Sequence, residues 1–354
     1  MTVGTERQAR DVEGVSGQIV EELAVTLSTL TTALGVRTGL WAALAGAGPL
    51  TPAEVAERVG TAEPYAREWC RTQAAAGYLR YSDGRFELPD EVAAVLVHGP
   101  LGAVADAAVT LLSATGSRFA EFTDAFRAGR GFGWDERAAE HWQGVDRFTQ
   151  AAMAPEFLAA AIGALQGMPE ALAAGGAVLD VGCGYGTPTI WIAESFPAAR
   201  VTGCDFHDAS IVAARKAAAE AGVADRVRFE VATAKEAPGD AYALIVFVDS
   251  LHDLGDPVGA LVRARELLAP GGAVLLIEPP GTDRVEDNLN PVGRMFYAVS
   301  TMFCTPTAVA QEGNAIGTLA GPAVLTGLAK DAGFREARTV PLEAPFNLVL
   351  ELRA

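Results

Sequence analysis

Three glycines, a few acids and one histidine carry most of the chemistry this sequence offers. The run Val178-Leu179-Asp180-Val181-Gly182-Cys183-Gly184-Tyr185-Gly186-Thr187 reads as a strand, a tight turn and the start of a helix. The missing side chains at Gly182, Gly184 and Gly186 let a ligand approach the backbone. A dinucleotide turn of the form Gly-x-Gly-x-x-Gly needs glycine at 187, where Thr187 stands, and a phosphate loop needs Gly-Lys-Ser/Thr, which is absent. Asp205 ends the next strand about twenty residues on, the spacing at which an acid meets ribose hydroxyls. Capping the following helix is its other use, and Asp208 suits that better. Asp249 and His252 follow a fourth strand, and Glu278 ends a fifth. Where an open parallel sheet reverses direction after its first strand, strands one and four are neighbours and ligands sit beyond their carboxyl ends. That places His252 and Glu278 on the rim of the glycine turn, with Asp249 assigned to the same rim. An imidazole with an ordinary pKa of about 6.5 can take a hydroxyl proton at neutral pH. Alternatively, His252 caps a helix or lines the site without proton transfer.

The elements that position these residues follow from alternating texture. Short apolar runs at 177–181, 200–204, 227–231, 243–248 and 272–278 are separated by helical patterns at 187–194, 209–221 and 257–268. Strand–helix alternation implies an α/β fold with a doubly wound sheet, Rossmann-like, spanning 171–354. A long insertion at 281–321 is expected to act as a lid. Its Val292, Met295, Phe296, Val299, Met302 and Phe303 fall at helical spacing, and packing against the N-terminal domain is the alternative use of that stripe.

Upstream the chain reads differently. Residues 1–15 are expected to be a disordered polar tail. A helical stretch from 16 to about 45 is broken by Gly35. Thr51 then caps a helix opening on Pro52, a second helix runs from Thr61 to about Ala75, and two short runs flank Ser82-Asp83-Gly84. Helix, turn, helix and hairpin make a mostly helical winged-helix domain at 16–100. Arg67 and Arg71 on the second helix are offset by Glu63 and Glu68, which favours dimerisation or packing over DNA binding. Residues 101–170 read as a helical linker and pocket roof, rich in aromatics whose usual fate is a core between helices.

The stretch 178–186 with Asp205 resembles the cofactor site of class I S-adenosylmethionine-dependent methyltransferases. By that resemblance the glycine turn lies under the methionine and ribose of S-adenosyl-L-methionine, Asp180 supports the amino group, Asp205 holds the ribose, and Phe206 lies against adenine. Family members often carry an acid after the third strand for the adenine amine. Here Thr233 or another group must serve. Leu251-His252-Asp253 resembles the segment of small-molecule O-methyltransferases in which a His acts as base and an acid on the next strand orients it. The whole layout is similar to bacterial natural-product methyltransferases with an N-terminal winged-helix dimerisation domain. The resemblance implies a homodimer, a roof over the acceptor pocket, and Phe148 and Met153 reaching the active site. Phe296, Tyr297 and Met302 of the lid join the expected acceptor set. Both oxygen and electron-rich carbon acceptors of aromatic or heteroaromatic type occur among such enzymes.

Composition narrows the partners. A formal net charge of −17 opposes phosphate backbones and anionic lipid, so no nucleic acid and no membrane partner is expected. A methyltransferase-like regulator that binds DNA is the alternative reading. No uninterrupted apolar stretch reaches the ~18 residues of a spanning helix, and no secretory leader is evident, so a cytoplasmic protein is expected. Cys70, Cys183, Cys204 and Cys304 form no Cys-x-x-Cys pair and read as buried reduced thiols. No metal constellation is evident, because Asp249, Asp253 and Asp256 sit on a turn where capping is their expected use.

Overall fold

The computed structural model describes residues 11–342 and 346–354. They fall into two compact units, divided between Leu112 and Ser113.

In the first unit, α1 (Val12–Arg37) begins where the Asp11 side chain accepts a hydrogen bond from Gly14 N. Residues 12–15, expected in the tail, are therefore helical, while 1–10 lie outside the described residues. Gly35 does not break α1. A Cβ there would stand 2.6 Å from both Trp41 Nε1 and Trp69 Cζ2, so glycine is present for close packing rather than as a stop. By length and composition α1 could cross a bilayer, with mean hydropathy 1.4 over its apolar window. The expectation of no such stretch counted only unbroken apolar runs and overlooked the serines and threonines a helix accommodates. After α2 (Leu40–Leu44), Thr51 and Glu54 close a capping box on α3 (Pro52–Val59). Then come α4 (Glu63–Ala75), β1 (Arg80–Ser82) and β2 (Arg85–Glu87), with Leu50 bridging to Phe86 as a third strand position. α5 (Asp90–Leu96) follows, and α6 (Leu101–Ser117) runs across the divide.

The second unit is built on a sheet whose central strands are buried on both faces and read as almost unbroken apolar runs, while its edge strands are more exposed and polar. Four helices lead into it: α7 (Phe119–Ala128), α8 (Ala139–Ala152), α9 (Pro155–Gly163) and α10 (Met168–Ala173). The strands are β3 (Ala177–Val181), β4 (Arg200–Asp205), β5 (Val227–Val231), β6 (Tyr242–Val248), β7 (Leu268–Glu278), β8 (Glu336–Thr339) and β9 (Leu348–Arg353). Their order is β5-β4-β3-β6-β7-β9-β8, with β5 to β7 parallel and β9 antiparallel to both neighbours. Between the strands lie α11 (Thr187–Ser195), α12 (Asp208–Glu220) and α13 (Pro257–Leu267). The reversal after β3 sets β3 beside β6, as expected. Met153, Leu158, Ile162, Leu165 and Leu172 join the core on one sheet face, so α9, α10 and the segments beside them pack with the sheet. In the insertion, α14 (Pro291–Val299), a π-helical turn at Ser300–Cys304 and α15 (Thr305–Ala310) follow without a break. The last helix is α16 (Pro322–Asp331).

Candidate active site

The glycine turn is tied down by its own backbone. Gly182 N and Cys183 N both donate to Cys204 O, and Gly186 N donates to Cys183 O at 2.8 Å. Gly182, Gly184 and Gly186 all have positive φ, which glycine alone adopts without cost. A Cβ at Gly182 would meet Ser250 Cβ at 2.7 Å and one at Gly186 would meet Phe229, whereas at Gly184 it would find open space. Gly184 lines a cavity of about 140 Å³ together with Gly182, Asp205, Phe206, Asp249 and Asp253.

Two carboxylates support the turn. Asp205 accepts from Gly184 N at 3.0 Å and from His207 N at 2.8 Å. Burial raises its pKa, while those two hydrogen bonds pull it back. Asp180 is 1% exposed. Its Oδ2 accepts from Thr189 Oγ1, and its Oδ1 is buried without a partner. Burial pushes its pKa to about 7, opposed by the Thr189 hydrogen bond and reinforced by Asp205. Asp249 holds a non-glycine left-handed φ of 48° and also has a buried unpartnered Oδ1, a strained placement of the kind found at functional rims.

His252 and Glu278 meet as the sequence expects, at 2.5 Å through Nδ1 and Oε2, while Leu251 N donates to Glu278 Oε1. Both side chains are buried, and neither lines the cavity. Nε2 of His252 faces Asp253 Oδ1 at 3.4 Å, with Cys304 beside it. Burial alone would lower the imidazole pKa. Glu278 and Asp253 outweigh burial and hold it well above the usual value.

Other expected site residues fall elsewhere. Thr233 is exposed, donates its hydroxyl to Glu236 Oε2 at 2.9 Å and does not line the cavity. It starts a 3-10 turn, and that local role takes the group reserved for adenine. None of Phe148, Met153, Phe296, Tyr297 and Met302 lines the cavity either. Met153 and Phe296 are core side chains, Tyr297 Oη accepts from Asn288, and the Met302 carbonyl accepts from Arg137. Of the stripe at helical spacing, Phe296 is buried while Val292 and Met295 are exposed. The walls come instead from Trp134, Trp142 and Thr149 on one side and from Thr307 and Gln311 on the other. Among these, the Trp142 indole lies tilted by 59° against the His207 ring, with ring centroids 4.1 Å apart. Asp146 is a further cavity residue the sequence reading missed. It accepts from Thr187 Oγ1 at 2.7 Å, so the residue that departs from the dinucleotide turn anchors α11 to α8. No local motif flags these groups; only their convergence in space does.

The comparisons agree with this architecture. Residues 179–274 match the methyltransferase domain family, and residues 26–98 match the Rv2258c-like winged HTH domain family. A 27-O-demethylrifamycin SV methyltransferase of Amycolatopsis mediterranei is 32% identical over 37% of this chain and 51% of its own. A trans-aconitate 2-methyltransferase of Paracidovorax citrulli is 38% identical over 31% of this chain and 40% of its own. The chain thus spans about half the length of these relatives or less. The structure of the mitomycin 7-O-methyltransferase MmcR superimposes with a TM-score of 0.68 at 20% identity, covering 96% of this chain and 98% of that one. The buried sheet, its strand order and the glycine turn agree with both matches: the region similar to the methyltransferase domain family follows in sequence the region similar to the Rv2258c-like winged HTH domain family.

Proposed function

We propose that this chain transfers the methyl group of S-adenosyl-L-methionine to a hydroxyl oxygen of a small, aromatic or heteroaromatic acceptor. One observation carries the reading: the glycine turn, Asp205 and Phe206 share a single cavity with Trp134, Trp142 and Asp253, next to the buried His252–Glu278 pair. The cofactor fits this chain's residues. Gly184 leaves open space under a ligand, Asp205 can accept from a ribose diol, and the free Oδ1 of Asp180 can accept from an ammonium. When bound, the cofactor supplies an already activated sulfonium methyl group. The chain's work is then alignment of donor and acceptor to about 3–3.5 Å and exclusion of water.

Oxygen is favoured over carbon because Glu278 fixes the imidazole of His252 beside the cavity wall; with its pKa held high, the ring can take a hydroxyl proton through Nε2 only in its neutral form, which gains as pH rises. The rifamycin and mitomycin enzymes reported above are named for transfer to oxygen on natural products, which supports the same class of acceptor. DNA binding is not favoured. Arg67 and Arg71 pair with Glu63 and Glu68, Arg80 pairs with Glu91, and Arg85 pairs with Glu54. Those guanidiniums are already neutralised on the surface a phosphate backbone would need.

The reading includes a second copy of the chain. α1 leaves Ile19, Val20, Leu23, Leu27 and Leu30 exposed, and an apolar face of that length calls for a cover. Light scattering should return twice the chain mass. The described cysteines are free buried thiols, in keeping with a reducing cytoplasm.

Calorimetry with S-adenosylhomocysteine, followed by turnover of methyl-labelled donor against a panel of phenols, tests the proposal. Binding of the product with labelled methyl ethers formed is expected. His252→Ala should lower turnover while leaving the affinity for the product nearly intact. Absence of any interaction with donor or product would sink the reading, and methyl appearing only on carbon would correct its acceptor.

A further inference from the structure

Cys304 lies 52 positions after His252, yet the π-helical turn at Ser300–Cys304 brings its thiol to the imidazole. One nitrogen of His252, one oxygen of Asp253 and the sulfur of Cys304 lie within 4.8 Å of one another. The spacing suits a cation between them. Tetrahedral zinc with N and O bonds of about 2.0–2.1 Å has ligand–ligand edges of roughly 3.3–3.4 Å, and Nε2 stands 3.4 Å from Asp253 Oδ1. Two further features belong to metal sites rather than to packing. Asp253 Oδ1 is buried without a hydrogen-bond partner. Glu278 holds the opposite imidazole nitrogen, the outer carboxylate that orients a ligating histidine. Asp253 also lines the cavity, so the cluster lies next to its wall.

We propose that Cys304, His252 and Asp253 form a binding site for a soft divalent cation, zinc being the fitting one. Thiolate and imidazole donors select zinc over magnesium or calcium, which take oxygen. The cation replaces two protons, one from the Cys304 thiol and one from Nε2 of His252, and both go to solvent. Nothing is oxidised or reduced. Occupied in this way, Nε2 can neither hold nor exchange a proton, so zinc inhibits the methyl transfer proposed above. Only that consequence rests on the methyltransferase reading; the binding itself does not.

Cobalt(II) added to the metal-free full chain tests the site. A thiolate-to-cobalt charge-transfer band with intense tetrahedral d–d bands is expected, and zinc should bleach both. Cys304→Ser should remove the charge-transfer band, and Cys70→Ser should keep it. Asp253→Asn, on a partly exposed side chain, should weaken zinc at least tenfold. If Cys304→Ser fails to fold, cadmium NMR on the unaltered chain replaces it, with a shift typical of one sulfur ligand expected. No charge-transfer band, a band that survives Cys304→Ser, or a cadmium shift without sulfur would overturn the site. Loss of turnover with zinc and recovery with chelator is the separate expectation for inhibition. Turnover unchanged under zinc saturation would overturn that consequence alone.

Discussion

The two halves of the sheet's carboxyl rim are built in opposite ways. The cofactor half comes from one continuous turn, Gly182 to Gly186, held by backbone bonds to Cys204 and by Asp205 at the end of the adjacent strand. The acceptor half is assembled from α8, the turn after β6, the end of β7 and the insertion at 300–311. Its chemistry sits in side chains clasped by other side chains. A turn made of backbone has no room for a side chain at Gly182 or Gly186, whereas an assembly of side chains fails when one of its clasps is cut. Each prediction below presses on one half.

The largest effect should come from Gly182→Ala. Its φ is 75°, and the new Cβ would stand 2.7 Å from Ser250 Cβ, displacing the hydroxyl that bonds Val181 O. A left-handed alanine costs about 1–2 kcal/mol before any clash. Affinity for S-adenosylhomocysteine should fall about a hundredfold or more, roughly 3 kcal/mol. Calorimetry reads this directly. Affinity within threefold of the parent would show that the turn does not hold the ligand through its backbone.

The same contrast explains what the sequence discloses. β3, the glycine turn and Asp205 are consecutive or one crossover apart, so their spacing alone describes the site. β3 beside β6 follows from chain reversal, which made the meeting of His252 and Glu278 legible as well. The acceptor walls were not legible, because Trp134, Asp146, Thr307 and Gln311 belong to segments with no fixed spacing. Helical periodicity pointed instead to Phe296 and Met302, and in a helix an apolar stripe usually marks the face turned to the core. Cys304 was legible only as a buried thiol. Its approach to His252 depends on a π-helical turn that no simple period announces.

On the acceptor half, Arg137→Ala should be the most costly change for stability. The guanidinium is buried and donates to the carbonyls of Phe132, Met302 and Phe303 and to Thr307 Oγ1. It also lies over the Phe132 and Phe303 rings at 5.5 and 5.8 Å. Removing it strands three carbonyls and opens a void, at about 2–3 kcal/mol. Chemical denaturation should show that loss, with product affinity changed less than by Gly182→Ala. A loss of product affinity as large as that of Gly182→Ala would show the two halves to be one unit.

Proton linkage returns to the cofactor half. Asp180 is raised to about 7 by burial, with Thr189 opposing and Asp205 adding, and Asp205, Cys183 and Cys204 are ionisable groups facing it. A carboxyl raised in this way stabilises the free fold below about pH 4 and loses that contribution as pH climbs toward 7. A ligand ammonium over the turn favours the ionised form, so it must displace the proton below pH 7. Affinity for S-adenosylhomocysteine should therefore drop up to about tenfold per pH unit from 7 down to 5 and level off above 7.5. Buffers of different ionisation enthalpy should show proton release at pH 6 and none at pH 8. Asp180→Asn should flatten the profile, and a profile that keeps its slope in that variant assigns the proton elsewhere.

The smallest effect should be that of Thr233→Ala, and it bears on what recognises adenine. Thr233 is exposed and spends its hydroxyl on Glu236 at the start of a short 3-10 turn, away from the cavity lining. Phe206 and Trp142 line the cavity, and the Trp142 ring lies tilted against His207, two residues after Asp205. If adenine is held by those aromatic faces, losing the threonine hydroxyl should change affinity less than twofold, since exposed substitutions stay within about 0.5 kcal/mol. Trp142→Ala should by contrast lower it by roughly tenfold through lost stacking. A Thr233→Ala variant that binds tenfold more weakly would return the adenine amine to the end of β5. The cofactor half would then depend on one more side chain, at the end of β5, and the contrast between the halves would narrow to the glycine turn alone.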